Sequence, residues 1–327
     1  MEGMSRLNLV GSSPAFQQVL RSLHRLAEVD ATVLIGGETG TGKELAARAL
    51  HYIGPRSGRP FIPVNCGGLS DNLLESELFG HERGAFTDAR RSNAGLVSEA
   101  QGGTLFLDEI DTLSPRGQGS LLRFLQDKSY RRVGASSQNY ADVRVVVASN
   151  ADLQAMAQDR QFRKDLLYRL NVLHIQMPPL RERPGDAVEL ARLFLVRLCS
   201  RYQKPDKYLH EDALSFIQRY DWPGNVRELE NLIHRDFLLC DGDALRCIDA
   251  CRQLLPQALN GADRSCFSEA KADAIADFER RFVRELLAQA GGSITQAARL
   301  AGKDRSAFGK LVRKYGIAEP LNGLSLG

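Results

Sequence analysis

The chain has 327 residues, of which 43% are hydrophobic and 25% charged, with a formal net charge of +3; this balance excludes a disordered or fibrous chain and fits about two globular domains. No apolar run nears the ~20 residues of a bilayer crossing, and Met1-Glu2-Gly3-Met4-Ser5-Arg6 lacks the basic end and apolar stretch of a secretory signal, so a cytoplasmic protein is expected. Six cysteines without a CxxC pair are too sparse for a disulfide framework, and Cys247, Cys251, Cys240 and His234 match no common zinc spacing, so they are read as ordinary thiols.

Short apolar runs alternate with helical patterns over the first ~180 residues. Thr32-Val33-Leu34-Ile35 leads into Gly37-Glu38-Thr39-Gly40-Thr41-Gly42-Lys43-Glu44 and a helical stretch from Glu44 to Tyr52. Phe61-Ile62-Pro63-Val64 and Thr104-Leu105-Phe106-Leu107 follow, then a helical stretch from Gly119 to Asp127, then Val143-Arg144-Val145-Val146-Val147 and Val172-Leu173-His174-Ile175. Runs this short and this apolar fit strands buried on both faces. Their alternation with helices predicts an α/β domain with a parallel sheet, spanning residues 1–178.

After Met177 the pattern becomes helical, punctuated by Pro178, Pro179 and Pro184. Ala187 to Tyr202, Glu211 to Tyr220 and Asn225 to Leu239 predict a small helical subdomain over residues 179–250. Pro256, Asn260-Gly261 and Ser265 mark residues 251–271 as a linker. In the final segment, 272–327, Ile275, Phe278, Phe282, Leu286 and Leu287 form one helix face before Gly291-Gly292 breaks it. From Gly291 onward six basic residues stand against two acidic ones, which suits a polyanion-binding module or a solvated charged face.

Two motifs carry chemistry. Gly37 to Glu44 matches GxxxxGK between a strand and a helix, so backbone N–H groups and the helix N-terminus would cradle phosphates. Lys43 would reach the β- and γ-phosphates; Glu44 stands where a Ser or Thr usually ligates Mg²⁺. Asp108-Glu109 ends an apolar strand 65 residues after Lys43. Asp108 is expected to hold Mg²⁺, often through water, and Glu109 to polarise an attacking water. Asn65, ending the preceding strand, is a candidate to hydrogen-bond Glu109 until the γ-phosphate is sensed.

Glu77-Leu78-Phe79-Gly80-His81-Glu82-Arg83 runs into Gly84-Ala85-Phe86-Thr87-Asp88-Ala89, the hexapeptide GAFTDA. Gly102 to Glu109, Phe162 to Val172, Pro179-Leu180-Arg181-Glu182-Arg183 and Trp222-Pro223-Gly224-Asn225-Val226-Arg227-Glu228-Leu229 complete a pattern that resembles bacterial enhancer-binding proteins, the AAA+ activators of sigma-54 RNA polymerase. The resemblance runs from Val10-Gly11 to about Ile317. It implies an AAA+ P-loop NTPase, a parallel sheet flanked by helices, with a helical lid subdomain and a C-terminal helix-turn-helix. It also implies ATP and Mg²⁺ as cofactors. The loop Gly84, Ala85, Phe86, Thr87, Asp88 and Ala89 would contact sigma-54, with Phe86 and Thr87 at the tip and His81-Glu82-Arg83 solvating the loop. Arg163 and Arg169 would be arginine fingers supplied to the neighbouring subunit. Asn150 after Ser149 would be the first sensor and Arg227 the second.

Two departures from the family pattern stand out. The phosphate loop begins at residue 37, which leaves no room for a preceding regulatory domain, so control is expected from a protein acting in trans, from expression level, or not at all. Cys66-Gly67-Gly68 replaces the more usual Cys-Ala-Ala and is expected to be silent.

Ser293 to Gly302 reads as a short helix and Asp304 to Tyr315 as a second one, with Asp304 as N-cap. They resemble the factor-for-inversion-stimulation type of DNA-binding module. Arg305, Ser306, Lys310, Arg313 and Lys314 are the candidate DNA contacts, with the Ala272 to Ala290 helix as a dimer contact. The resemblance thus implies an ATP-driven activator that binds enhancer DNA, assembles from dimers into a hexameric ring, and opens the closed complex of sigma-54 holoenzyme. The alternative is a DNA-binding regulator that uses ATP only for assembly.

Overall fold

The computed structural model describes residues 8–68, 71–86, 89, 91–247, 279, 282–284, 286–287, 290–291 and 293–314, with the side chains of Asp71, Asn72 and Arg313 excepted. Two compact units are present, Met1–Arg252 and Gln253–Gly327.

The first unit opens with α1 (Pro14–Ala27), where Ser13 accepts from the Phe16 N–H and Pro14 occupies the first turn. Strand β1 (Val33–Gly36) feeds the phosphate loop and α2 (Lys43–Tyr52). Then come β2 (Phe61–Asn65), α3 (Asp71–Phe79), the single turn α4 (Leu96–Glu99) and β3 (Thr104–Asp108). A 3-10 turn (Ile110–Thr112) precedes α5 (Pro115–Asp127), which Ser114 caps with Pro115 behind it. A short antiparallel pair, β4 (Ser129–Tyr130) and β5 (Asn139–Tyr140), leads to β6 (Arg144–Ser149), α6 (Leu153–Gln158), α7 (Lys164–Leu170) and β7 (Leu173–Gln176).

The main sheet is parallel in the order β2-β3-β6-β1-β7. Along the inner strands the side chains alternate between two cores. Leu34, Leu105, Leu107, Val145 and Val147 face α5 and α7, while Val33, Ile35, Phe106, Val146 and Ala148 face α1 and α2. Each such fully buried aliphatic side chain contributes about 1.5–3 kcal/mol. Double-sided burial holds for β3 and β6 but not for the two edges. In β7 Leu173 and Ile175 turn inward while His174 and Gln176 are exposed; in β2 Pro63 is exposed. An edge strand has one neighbour and thinner cover, and it is where a proline's missing N–H is tolerated.

Arg144, buried on β6, donates to the carbonyls of Leu26 and Ala27 and to Leu50, at 2.6, 3.0 and 3.2 Å. Its guanidinium thus sits on the carbonyl ends of α1 and α2, where the helix dipoles favour a cation.

The helical subdomain follows a 3-10 turn (Leu180–Glu182) with α8 (Asp186–Tyr202), α9 (Glu211–Arg219) and α10 (Asn225–Leu239), and a small parallel pair, β8 (Tyr208–Leu209) and β9 (Ala244–Leu245). Trp222, the single tryptophan, is buried against Phe216 and Tyr220 and donates from Nε1 to the Ile217 carbonyl at 3.0 Å. The subdomain is fastened to the chain start by a buried ion pair. Asp186 accepts from Arg183 Nε, Ser13 Oγ and the N–H groups of Ser12 and Ser13, each at 2.8 Å. Arg183 also donates to the Val10 carbonyl and lies over the Phe16 ring.

In the second unit, α11 (Ile294–Leu300) is capped by Ser293, and α12 (Arg305–Lys314) has Asp304 accepting from the Ala307 N–H at 2.8 Å. Val283, Leu286, Leu287, Ala290, Ala297, Ala298, Phe308 and Val312 form its core. Of the helix expected from Ala272 to Ala290, residues 279, 282–284 and 286–287 are helical and Ala290 lies in a turn; the rest of it, and the expected linker, lie outside the described residues.

Candidate nucleotide site and exposed loop

Gly40 and Gly42 adopt φ values of 79° and 97°, which only glycine takes without strain, and they wrap the loop around the start of α2. Thr41 Oγ1 donates to the Glu38 carbonyl at 2.8 Å and tightens that turn. Lys43, nearly buried, donates to the carbonyls of Gly37 and Glu38 at 2.7 and 3.0 Å and to Asn150 Oδ1. Burial lowers the lysine's pKa, while Asp108 and Asp111 pull it back up. Asp108 is pushed upward, first by burial, against the Glu109 N–H it accepts at 2.9 Å and the charge of Lys43.

Glu109 sits at φ 55°, in the left-handed region that non-glycine residues rarely occupy outside constrained sites. Asn65 does not hydrogen-bond Glu109 here: its Oδ1 accepts from the Gly67 N–H at 2.7 Å, and Gly67 borders the carboxylate. A Cβ on Gly67 would lie 2.5 Å from Glu109 Oε2, the flexible end of that side chain. Glu44 pairs with Arg48 at 2.8 Å, one turn along α2.

Asp108, Glu109, Lys43, Glu44, Asn150 and Arg227 line one cleft of about 300 Å³. Arg227 arrives there because the neighbouring Val226 N–H donates to the Gly40 carbonyl at 3.0 Å. Asn225 turns its side chain toward Leu180 and the phosphate loop, while Glu228 accepts from the Gly224 N–H at 2.8 Å. Asp111 was not legible as a site residue: it accepts from Ser149 Oγ at 2.7 Å and Asn150 N–H at 3.2 Å, and so aims Asn150 at Lys43. Hard carboxylate oxygens at Asp108 and Glu109, beside a phosphate loop, suit Mg²⁺.

Arg163 and Arg169 are absent from the lining of this cleft. Arg163 is paired bidentately with Asp165, at 3.0 and 2.7 Å, and its backbone N–H donates to the buried Gln118 at 2.9 Å. Arg169 donates to the carbonyls of Leu125 and Gln126 at the end of α5.

After α3 the chain projects a loop closed at its neck by Gly84 N–H to Ala89 O at 2.9 Å. Phe86 lies 40% exposed at its end, which excludes a core role. Thr87 and Asp88 lie outside the described residues. His81, expected to solvate the loop, is a strut instead. Its ring bonds Ser76 Oγ and the Arg91 carbonyl and stands edge-on to Phe86 at 5.0 Å. Glu82 pairs with Arg132, and the Val133 backbone bonds Gly80 and Glu82. In the second unit Arg305, Ser306, Lys310 and Lys314 are exposed, Lys314 being paired with Glu279 at 3.1 Å.

A family model described as the sigma-54 interaction domain matches residues 9–176, and one described as an AAA+ ATPase lid domain matches residues 181–265. This chain belongs to the sigma-54-dependent AAA+ activators. The transcriptional regulatory protein ZraR of Salmonella typhimurium is 43% identical over 301 residues, 92% of this chain and 67% of that one. The nitrogen fixation protein AnfA of Azotobacter vinelandii is 41% identical over 95% of this chain and 58% of its own length, so the chain spans only part of these relatives. Among solved structures, NtrX from Brucella abortus in complex with ADP superposes with a TM-score of 0.69 at 30% identity, over 95% of this chain and 69% of that one. As a sigma-54-family AAA+ protein the chain is an ATPase, and the cleft between Lys43 and Asp108 is where its nucleotide-binding motifs converge.

Proposed function

We propose that this activator uses ATP hydrolysis to open the closed promoter complex of sigma-54 RNA polymerase holoenzyme. Glu109 orients the attacking water. Lys43 and the loop N–H groups hold the phosphates, and Asp108 holds Mg²⁺, which would neutralise charge developing on them. Arg163 and Arg169 complete the cleft of a neighbouring copy in a ring, taken as hexameric. Their absence from their own cleft supports that reading. Phe86 and Thr87 grip sigma-54, while Arg305, Ser306, Lys310, Arg313 and Lys314 hold enhancer DNA as part of a helix-turn-helix. Among the described residues no helix is long and apolar enough to cross a membrane.

The observation that carries this reading is Phe86: a large apolar ring held out at the end of a hydrogen-bonded loop, on an ATPase. The test is promoter melting on a preformed sigma-54 closed complex with purified protein and ATP. Phe86→Ala is expected to abolish melting while ATP hydrolysis persists. Hydrolysis without melting by the unsubstituted protein, even with candidate partners added, would favour the regulator that uses ATP only for assembly.

A further inference from the structure

Every residue of the phosphate loop from Glu38 to Gly40 is held by the helical subdomain. Glu38 takes both guanidinium nitrogens of Arg181, at 2.6 and 2.9 Å. Asn225 Nδ2 donates to Glu38 Oε2 at 3.1 Å and to the Thr39 carbonyl at 3.0 Å, and its Oδ1 accepts from the Leu180 N–H at 2.8 Å. The Val226 N–H donates to the Gly40 carbonyl. Any side chain at Gly40 would collide with the Gly224 carbonyl oxygen.

Asn225 is fully buried, at φ 53°, a conformation asparagine tolerates better than most residues. That backbone turn throws Val226 and Arg227 toward the cleft. An exposed ion pair contributes little by itself. Here Glu38 and Arg181 flank a buried amide that bridges both sides, so the pair orders a network rather than a surface. The carboxylate is held down near about 2, first by Arg181 and then by Asn225, so it remains ionised and keeps both partners.

We propose that Glu38 is a positioning residue that docks the helical subdomain onto the phosphate loop through Arg181 and Asn225, and thereby sets where Arg227 stands over the nucleotide. The side chain serves the lid rather than the phosphates. This rests on the ATPase assignment and not on any contact with sigma-54.

Val226 lies in the first turn of α10, where an amide has no partner within its own helix. Its hydrogen exchange therefore reports the contact with Gly40 directly, without need of hydrolysis. The test compares Glu38→Gln, Arg181→Gln and the double variant in the full chain, reading Val226 amide exchange together with kcat and KM for ATP. Each single substitution is expected to speed Val226 exchange at least about tenfold, leaving the amides of α8 unchanged. Each should lower kcat about tenfold with KM within about threefold, and the double should be no slower than the slower single. Unchanged Val226 exchange would overturn the proposal. So would a double variant that loses the product of the two single effects, because Glu38 would then act on nucleotide independently of Arg181. A wild-type protein that hydrolyses no ATP would sink the ATPase assignment, while the exchange comparison would still decide the docking.

Discussion

Glu109 pays for its place with an unfavourable backbone angle, and what it gains is proximity: its own N–H engages Asp108, while its carboxylate rests against Gly67. Gly67 is not in the left-handed region, so alanine fits its backbone, and the added methyl would meet the flexible end of the Glu109 side chain. Gly67→Ala, which installs the more usual residue, is therefore expected to leave kcat within about twofold and ADP affinity unchanged, measured by steady-state hydrolysis and equilibrium titration. Lys43, Asp108 and Glu109 were legible in sequence because a glycine-rich loop and an acid pair at a strand end carry their chemistry in their spacing. Asn225 and Asp111 were not. Each acts by hydrogen bonds across more than thirty residues of chain, 39 for Asp111 to Asn150, and such pairing is set by tertiary packing.

At the scale of elements, the junction between α1 and α8 depends on one buried charge pair. Removing Asp186 strands the Arg183 guanidinium beside Phe16 without its hydrogen-bonded carboxylate, and leaves the Ser12 and Ser13 N–H groups without that acceptor. Asp186→Ala is expected to cost about 3–5 kcal/mol in urea unfolding, and Asp186→Ala with Arg183→Met to cost less, because the second change removes the uncompensated charge. The five strands of the main sheet, α2, most of α5 and the three helices of the helical subdomain were readable from apolar runs and periodicity, whereas α1 and α3 were not singled out. The exceptions have local causes: β2 and β7 are edges and expose alternate residues, and His81 is drawn inward by two ring hydrogen bonds that no periodicity records.

For the whole molecule, the decisive issue is that one copy does not line its cleft with Arg163 or Arg169. If a neighbour supplies them, sites are shared between copies. Lys43→Ala and Arg163→Ala proteins should each lose about 10³-fold or more in hydrolysis, and mixing them should restore a fraction of it. Sites that pair an intact loop with an intact arginine account for that recovery. Failure of the mixture to recover any activity would place the whole chemistry within one chain. The C-terminal unit was legible as two short helices, with Asp304 announcing the second N-terminus, while the Ser293 cap of the first was not singled out. Which of its exposed side chains would meet a partner was not, because exposed side chains leave no packing signature.

Trp222 has a practical consequence of its own. It is the sole indole of the protein, sealed between Phe216 and Tyr220 and three residues from the amide that grips the phosphate loop. The molecule thus carries an intrinsic fluorophore within the turn that meets the nucleotide loop, with a tyrosine beside it as an energy donor. Emission collected during a single turnover would follow lid motion in unlabelled protein, on the timescale of the chemistry itself.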